Sequence, residues 1–497
     1  MTPTDRASGV GNDARWGLML LLALGALLAF RLAALKFSGT DLFFDEAQYW
    51  SWAQTPAAGY YSKPPLIAWM IAGTTAVCGD GEFCVRVSSP IVHTLTALVV
   101  FLIGRRLYDT RTGALSALAF ATLPGVSVSA GIISTDVPLL FFWALSLYAL
   151  VAMRDTRAWW PALLLGVAFG LGLNAKYAMV WFALCLGIYL IATKRERGLL
   201  RDPRLWVAVV IAMALIAPNL LWNQAHKFAT FAHTADNAKW HGGLINPLKA
   251  LEFVAAQFGV FGPILFASLG VVTWRAWRDG LPDADRLLLS FALPVVVVIT
   301  AQAFVSRAHA NWAAVSYVAA TVLVVATMVR NLDWGWLKSS FALHIVLAAA
   351  LAAAAIFAGR FALPSGVDPY SRTLGWRALG AATADEYAKG ASAGTPYAAV
   401  VADERSVTAE LLYYMRDKPG RVLAWREGPV PQDHFELTRP FTSEIKGPVL
   451  LVSLSPKPDH ITRRFETVRE IRTVELRAGA GKPRRVTYFA LEGYKEK

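Results

Sequence analysis

The sequence predicts an α-helical polytopic membrane protein with a soluble α/β domain at its C-terminal end, and three observations carry that expectation. Of 497 residues, 56% are hydrophobic, and the mean hydropathy is +0.43, far from the balance of a soluble enzyme. Apolar runs recur at the length needed to cross a hydrocarbon core of about 30 Å, which takes about 20 residues. From residue 362 onward charged residues become common, Pro and Gly punctuate, and apolar runs shorten to strand length.

The runs near 16–36, 87–104, 112–132, 135–153, 159–175, 177–193, 205–223, 253–274, 287–305, 311–329 and 338–361 read as eleven spans. Arg6 and Arg15 precede the first run, but no small-residue cleavage site follows it, so it reads as a retained helix. PPLIAWMIAGTTAV (64–77) is apolar but too short to cross, which suits an interfacial or re-entrant segment whose start is set by Pro64 and Pro65. Residues 1–361 are expected to form the membrane domain, with juxtamembrane helices in the first outer loop. Residues 362–497 are expected to form the α/β domain. Its strands fall at 398–402, 421–425, 448–454 and 486–494, with a helix at 408–417.

Orientation follows from the basic residues. With the N-terminus inside, alternate loops carry Arg105, Arg106 and Arg111, then Arg154 and Arg157, the KRERGLLRDPR run, WRAWRD, and Arg330 with Lys338. The opposite loops are poorer in Lys and Arg, as the positive-inside rule requires. The net charge of +13 is partly this bias and otherwise suits anionic lipid surfaces; nothing reads as a nucleic-acid module.

This topology sorts the chemistry to one side. The first outer segment holds Asp45, Glu46 and Lys63, the second Asp136, and the third Lys176. The fourth holds Trp222, Asn223, His226, His233 and His241, and the fifth Arg307, His309 and Asn311. A shared outer cavity is the simplest account, because ionisable residues close to hydrocarbon are costly unless functional or paired. Glycosyl transfer needs a base for the acceptor hydroxyl and positive charge on the departing phosphate. Asp45 suits the base and Lys63 the phosphate, and Tyr49 shares a helical face with Asp45. The plainer readings are an N-cap for Asp45, a headgroup anchor for Lys63, a helix start for Asp136 and interfacial charges for Lys176 and Arg307.

No cofactor is indicated, and a divalent metal stays open. The spacing of His226, His233 and His241 around Asp236 is a weak zinc signal. Cys78 and Cys84 form a candidate disulfide on the outer face, while Cys185 lies within a span.

In order along the chain, FFDEAQYWSW, YYSKPPLIAW, CVRVSSPI, STDVPLLFFW, NAKYAM, WNQAH and HANWAA resemble bacterial members of the GT-C superfamily. The resemblance is to the protein O-mannosyltransferase-like group that includes the lipid A aminoarabinose transferase. It implies an inverting transferase of the inner membrane, acting at the periplasmic face. A polyprenyl-phosphate sugar would be donor and an envelope lipid or glycan, such as lipopolysaccharide, the acceptor; membrane lipids surround a monomer. By the same resemblance Asp45 is the functional carboxylate, Asp136 the second-loop acid and Lys63 the lysine that contacts lipid phosphate. The outer-face clustering of the sequence itself adds Glu46 to the catalytic carboxylates, Tyr60, Tyr61 and Arg307 to donor phosphate or lipid binding, and Tyr49, Lys176, His226, His309 and Asn311 to substrate contacts. Gln48 stands where the aminoarabinose enzymes carry arginine, which removes a phosphate or carboxylate contact. The sugar is left open among galacturonic acid, mannose, an amino sugar and another hexose. A lipid-linked glycan flippase and a protein O-glycosyltransferase are the competing readings. Crowding of ionisable groups on one face and the outer domain favour the enzyme over a transporter, which commonly shows repeated halves with broken helices at the midplane.

Overall fold

The computed structural model describes residues 3–238, 245–360, 362 and 368–495, with backbone alone for residues 3–11, 237 and 238. The chain divides into two compact units. The helical unit comprises Met1–Leu35, Lys63–Ile67 and Arg86–Ala352, and the second comprises Lys36–Ser62, Ala68–Val85 and Ala353–Lys497.

Among the described residues six helices are long and apolar enough to cross a membrane: Asn12–Lys36, Glu82–Leu107, Asp136–Asp155, Pro203–Ala225, Asp283–Val305 and Trp334–Ile356. Leu66–Cys78, Trp160–Ala175, Tyr177–Ala192 and Ser316–Arg330 are shorter apolar helices. Two of the expected spans are broken. The 112–132 run splits at Leu123 into Thr110–Thr122 and Pro124–Ser129, because Pro124 cannot donate to the preceding turn and opens a new one. The 253–274 run is part of two helices, Pro247–Val260 and Pro263–Asp279, bent by 116°. Gly262 at φ +89°, followed by Pro263, makes that corner.

Packing in the helical unit uses small residues where helices touch. Gly166 and Gly170 of Trp160–Ala175 face Ala208 and Ala212 of Pro203–Ala225, and a Cβ on Gly166 would lie 2.7 Å from the Ala208 carbonyl. Such small-residue seams bring backbones close where no hydrophobic drive separates helix from lipid. Trp143, Phe182 and Phe291 fill the centre, with Phe182 and Phe291 centroids 4.8 Å apart. At the helix ends that the positive-inside reading puts inside, fully buried Asp285 accepts from Tyr108 Oη at 2.7 Å and from Arg330 Nη2 at 2.6 Å.

The second unit is built on a five-stranded sheet, β1 (Ala399–Ala402), β2 (Val422–Ala424), β3 (Val449–Ser453), β4 (Phe465–Leu476) and β5 (Arg484–Tyr494). Their order is β2-β1-β3-β5-β4; β1 pairs in parallel with β2 and β3, and β5 pairs antiparallel with β3 and β4. Alternation divides the core in two. Val400, Ala402, Leu450, Val452 and Tyr488 pack with Leu379, Val407 and Leu411, while Val401, Leu423, Leu451 and Phe489 pack with Trp425, Phe441 and Ile461. The sequence reading places four strands here and passes over β4. That edge strand is mostly exposed and its residues are largely charged or polar, so it lacks an apolar run. The helix expected at 408–417 spans Arg405–Tyr414.

Candidate active site

In the second unit, Asp45 is the second residue of the helix Phe44–Ala53, two positions past the N-cap, Phe43. Its backbone position therefore does not make it the cap. Glu46 performs the local closure: it is buried, and its Oε2 accepts the Phe43 N–H at 2.9 Å, satisfying a donor that the first turn leaves orphaned. Tyr49 is buried and packs on Trp52, with centroids 5.2 Å apart.

The helix Arg405–Tyr414 packs on this one, with Trp50 and Tyr413 edge to face at 4.9 Å. That contact brings Arg405 to Asp45. Arg405 Nη1 donates to Asp45 Oδ1 at 2.8 Å and to Gln48 Oε1 at 2.7 Å. The pair is half-open, with Arg405 and Asp45 side chains 35% and 37% exposed. Asp45 Oδ2 makes no hydrogen bond among the described residues. The two helices share a further tie. Trp50 Nε1 donates to Asp80 Oδ1 and Tyr413 Oη to the Asp80 carbonyl, each at 2.6 Å. Asp80 lies in the loop closed by the Cys78–Cys84 disulfide.

Tyr60 is almost fully buried, stacked on Trp52 at 4.6 Å, and donates to the Trp52 carbonyl at 3.0 Å. Burial pushes its hydroxyl up to about 12, so it stays protonated as a donor. Tyr61 donates to the Pro431 carbonyl at 2.9 Å.

In the helical unit, three segments that the positive-inside reading puts outside meet at one carboxylate. Asp136 opens the helix Asp136–Asp155. Its Oδ1 receives Lys176 Nζ at 2.7 Å, 40 residues away in sequence, and its Oδ2 receives Asn311 Nδ2 at 2.6 Å, 175 residues away. The Asp136 and Lys176 side chains are only 12% and 18% exposed. Arg307, in the loop before Asn311, is half-buried and pairs with no carboxylate among the described residues; its Nε is buried without a hydrogen-bond partner. His309 is exposed and rests on Trp312 at 5.3 Å. Lys63 is half-buried and precedes the helix Leu66–Cys78.

His226 does not join the Asp136 cluster's hydrogen bonds. It ends the helix Pro203–Ala225, stacked on Trp222 at 4.0 Å with Nδ1 2.8 Å from the Trp222 carbonyl. His241 lies outside the described residues, and among those described no group of three or more His, Cys, Asp or Glu side chains is placed to hold a metal.

Sequence reasoning missed two features. One is Arg405, whose only signal was the charged DER lead-in to a helix. The other is a polar network of Tyr177, Asn219 and Asn223, in which Tyr177 Oη donates to Asn219 Oδ1 at 2.6 Å and Asn223 Nδ2 donates to Tyr177 Oη at 3.1 Å. The NAKYAM and WNQAH motifs contain Tyr177 and Asn223, of which the sequence reading singled out only Asn223, and Asn219 lies in neither motif.

Comparison with known proteins gives this arrangement a family. Residues 62–222 match the family described as dolichyl-phosphate-mannose-protein mannosyltransferase. The lipid A galacturonosyltransferase RgtD of Rhizobium johnstonii is 36% identical over 435 residues, 87% of this chain and 90% of that protein. An undecaprenyl phosphate-alpha-4-amino-4-deoxy-L-arabinose arabinosyl transferase of Pseudomonas fluorescens is 34% identical over 40% of each chain. The crystal structure of ArnT from Cupriavidus metallidurans in the apo state shares the fold, with a TM-score of 0.68 at 15% identity, over 96% of this chain and 98% of that one. Likeness to RgtD along nearly the whole of both chains decides the assignment: this chain belongs to the GT-C superfamily, as a multi-pass membrane glycosyltransferase of the family that contains that galacturonosyltransferase.

Proposed function

We propose that the chain transfers a hexuronosyl group, galacturonosyl first among candidates, from a polyprenyl phosphate to a hydroxyl of lipid A at the periplasmic face of the inner membrane. The geometric observation that carries the reading is the convergence of Lys176 and Asn311 on Asp136 from widely separated outer segments. The likeness to RgtD supports the sugar and the acceptor, and the aminoarabinose transferases support the lipid-phosphate carrier.

In this reading the acceptor oxygen attacks the anomeric carbon as the bond to the phosphate oxygen breaks, inverting that centre. The acceptor proton passes to Asp45 Oδ2, the oxygen left open by Arg405, and polyprenyl phosphate departs. Arg307 and Lys63 receive the phosphate charge; a guanidinium with a buried, unpartnered Nε gains a strong charge-assisted bond from such an oxygen. Asp136 holds Lys176 and Asn311 in place, Glu46 fixes the helix start that presents Asp45, and Tyr60, Tyr61 and Tyr49 brace their segments. His226 and His309 contact acceptor groups, residues 362–497 recruit the acceptor, and the membrane domain, 1–361, crosses about eleven times when shorter apolar helices are counted. The protein acts as a monomer.

Mass spectrometry of lipid A from cells with the intact chain, with Asp45→Asn and with none tests this. A hexuronate-sized mass present only with the intact chain is expected. The same mass retained with Asp45→Asn at normal membrane abundance removes Asp45 as the base. If a sugar-sized mass is lost instead from envelope proteins, the acceptor is protein, the reading that the mannosyltransferase match favours.

A further inference from the structure

We propose that Arg405, with Arg372 beside it, is an oxyanion-reading residue of the substrate site, recognising a carboxylate or phosphate carried by the substrate. This deepens the functional reading above and rests on it for the identity of the sugar.

Arg405 is only half committed. Both of its contacts to protein acceptors, Asp45 Oδ1 and Gln48 Oε1, are made through Nη1. The Nε and Nη2 hydrogens make no bond among the described residues, while the guanidinium carbon lies over the Phe44 ring, 4.9 Å from its centroid. Arg372 lies over the same aromatic pair, 4.8 Å from the Phe43 centroid and 5.6 Å from that of Phe44. It is exposed and has no carboxylate partner among the described residues. Two guanidiniums thus lie over the Phe43–Phe44 pair, and among the described residues Asp45 is the single carboxylate hydrogen-bonded to either. Asp433 also faces Arg405 electrostatically, but its carboxylate is occupied in accepting the Phe435 and Glu436 N–H groups at 2.7 and 3.0 Å.

Arg405 Nε and Nη2 and the Arg372 guanidinium therefore keep donors that no carboxylate among the described residues takes up. A planar guanidinium tied down through Nη1 and lying over an aromatic ring, with its Nε and Nη2 donors open, can bind paired anionic oxygens. The Gln48 side-chain oxygen receives Arg405, so the helix Arg405–Tyr414 brings a guanidinium to the helix Phe44–Ala53, which carries none of its own. An anionic sugar gains from that charge and a neutral one does not. Two sources of the oxyanion share this chemistry: the sugar's own carboxylate and the donor phosphate.

The test uses the full chain purified in detergent and three short-chain ligands: polyprenyl-phosphate galacturonate, polyprenyl-phosphate galactose and polyprenyl phosphate. Equilibrium binding is measured for the intact chain, Arg405→Gln, Arg405→Lys and Arg372→Gln. The expected result is galacturonate bound about tenfold or more tighter than galactose, with that preference erased by Arg405→Gln, partly kept by Arg405→Lys and reduced by Arg372→Gln. Equal weakening of all three ligands by Arg405→Gln assigns the oxyanion to the phosphate. Unchanged binding of every ligand, with only kcat lowered, overturns the proposal and leaves Arg405 as a positioning residue for Asp45. Retained binding preference in a chain that transfers nothing to lipid A would discredit the transfer reading while leaving the oxyanion site standing. Arg372→Gln, at an exposed position, keeps the test meaningful if Arg405→Gln fails to fold.

Discussion

Asp136 and Asp45 are both acids at the start of a helix, and both meet a cation, but one cluster is closed and the other open. Asp136 has both oxygens occupied, by Lys176 and Asn311, in a site only 12–18% exposed. Asp45 has one oxygen on Arg405 and one unbound, in a site 35–37% exposed. A carboxylate with both oxygens held by a buried lysine and an amide is fitted to hold those groups in place, and its proton affinity is opposed by the lysine. One with an open oxygen beside an incompletely satisfied guanidinium can act on a ligand. The contrast separates a framework role for Asp136 from a chemical one for Asp45.

Replacing Asp45 by Asn should produce the largest effect. Turnover should fall by about 10²- to 10⁴-fold with donor binding and thermal stability little changed, since a base acts in the transition state. A stopped or single-turnover assay that finds the rate intact breaks the contrast at once. Asp136→Ala should show the reverse balance. It leaves Lys176 largely buried without its partner, which costs about 3 kcal/mol of stability, read as a lowered midpoint in thermal or denaturant unfolding. If Asp136→Ala is as stable as the parent but inactive, Asp136 belongs with the chemistry.

The Cys78–Cys84 bond gives a smaller, more diagnostic effect. It closes the loop from which Asp80 holds both Trp50 and Tyr413, the aromatic contact between the helices bearing Asp45 and Arg405. Changing both cysteines to Ser should cost about 2 kcal/mol from loop entropy. Because the loop braces the open cluster and shares none of the Asp136 bonds, activity should fall modestly, and more steeply with temperature than in the parent. A double variant with the parent's temperature profile would show that Asp80 is not needed for the Asp45–Arg405 geometry.

The closed cluster was more legible in the sequence than the open one, for a physical reason. Lys176, Asn311 and Asp136 each sit at the end of an apolar run on the same side of the membrane, so parity alone gathers them. Asp45 and Lys63 were visible through the same parity and their motifs. Arg405 was not, because its helix begins three residues before the expected start, in a DERS segment that looks like solvated loop. Nothing in the order of residues marks which charged group of a soluble domain will meet a distant helix. Hydropathy likewise cannot see the 116° corner at Gly262-Pro263, since the chain is apolar on both sides of it, and β4 was hidden because an exposed edge strand carries charges in place of an apolar period.

Asp403 is the third term of the comparison, a carboxylate with burial but no cation bonded to it. It follows β1, its Oδ2 accepts the Ser453 hydroxyl, and its Oδ1 is buried without a hydrogen-bond partner. Burial pushes its carboxyl up to about 6, with the Ser453 hydrogen bond only partly opposing the shift. A raised acid pKa means that folding favours the neutral form. Its contribution is therefore fully present below the unfolded carboxylate range and is lost as pH rises through about 6. Asp403→Asn removes that dependence. The variant should match the parent near pH 4 and be more stable by about 2 kcal/mol above pH 7, as the difference in unfolding midpoint across that range reports. The sign is the opposite of that expected for Asp136, where neutralisation strands a lysine. Parallel stability profiles for parent and Asp403→Asn would mean that water or a cation reaches Asp403 in solution, and that burial alone does not distinguish it from the two paired acids.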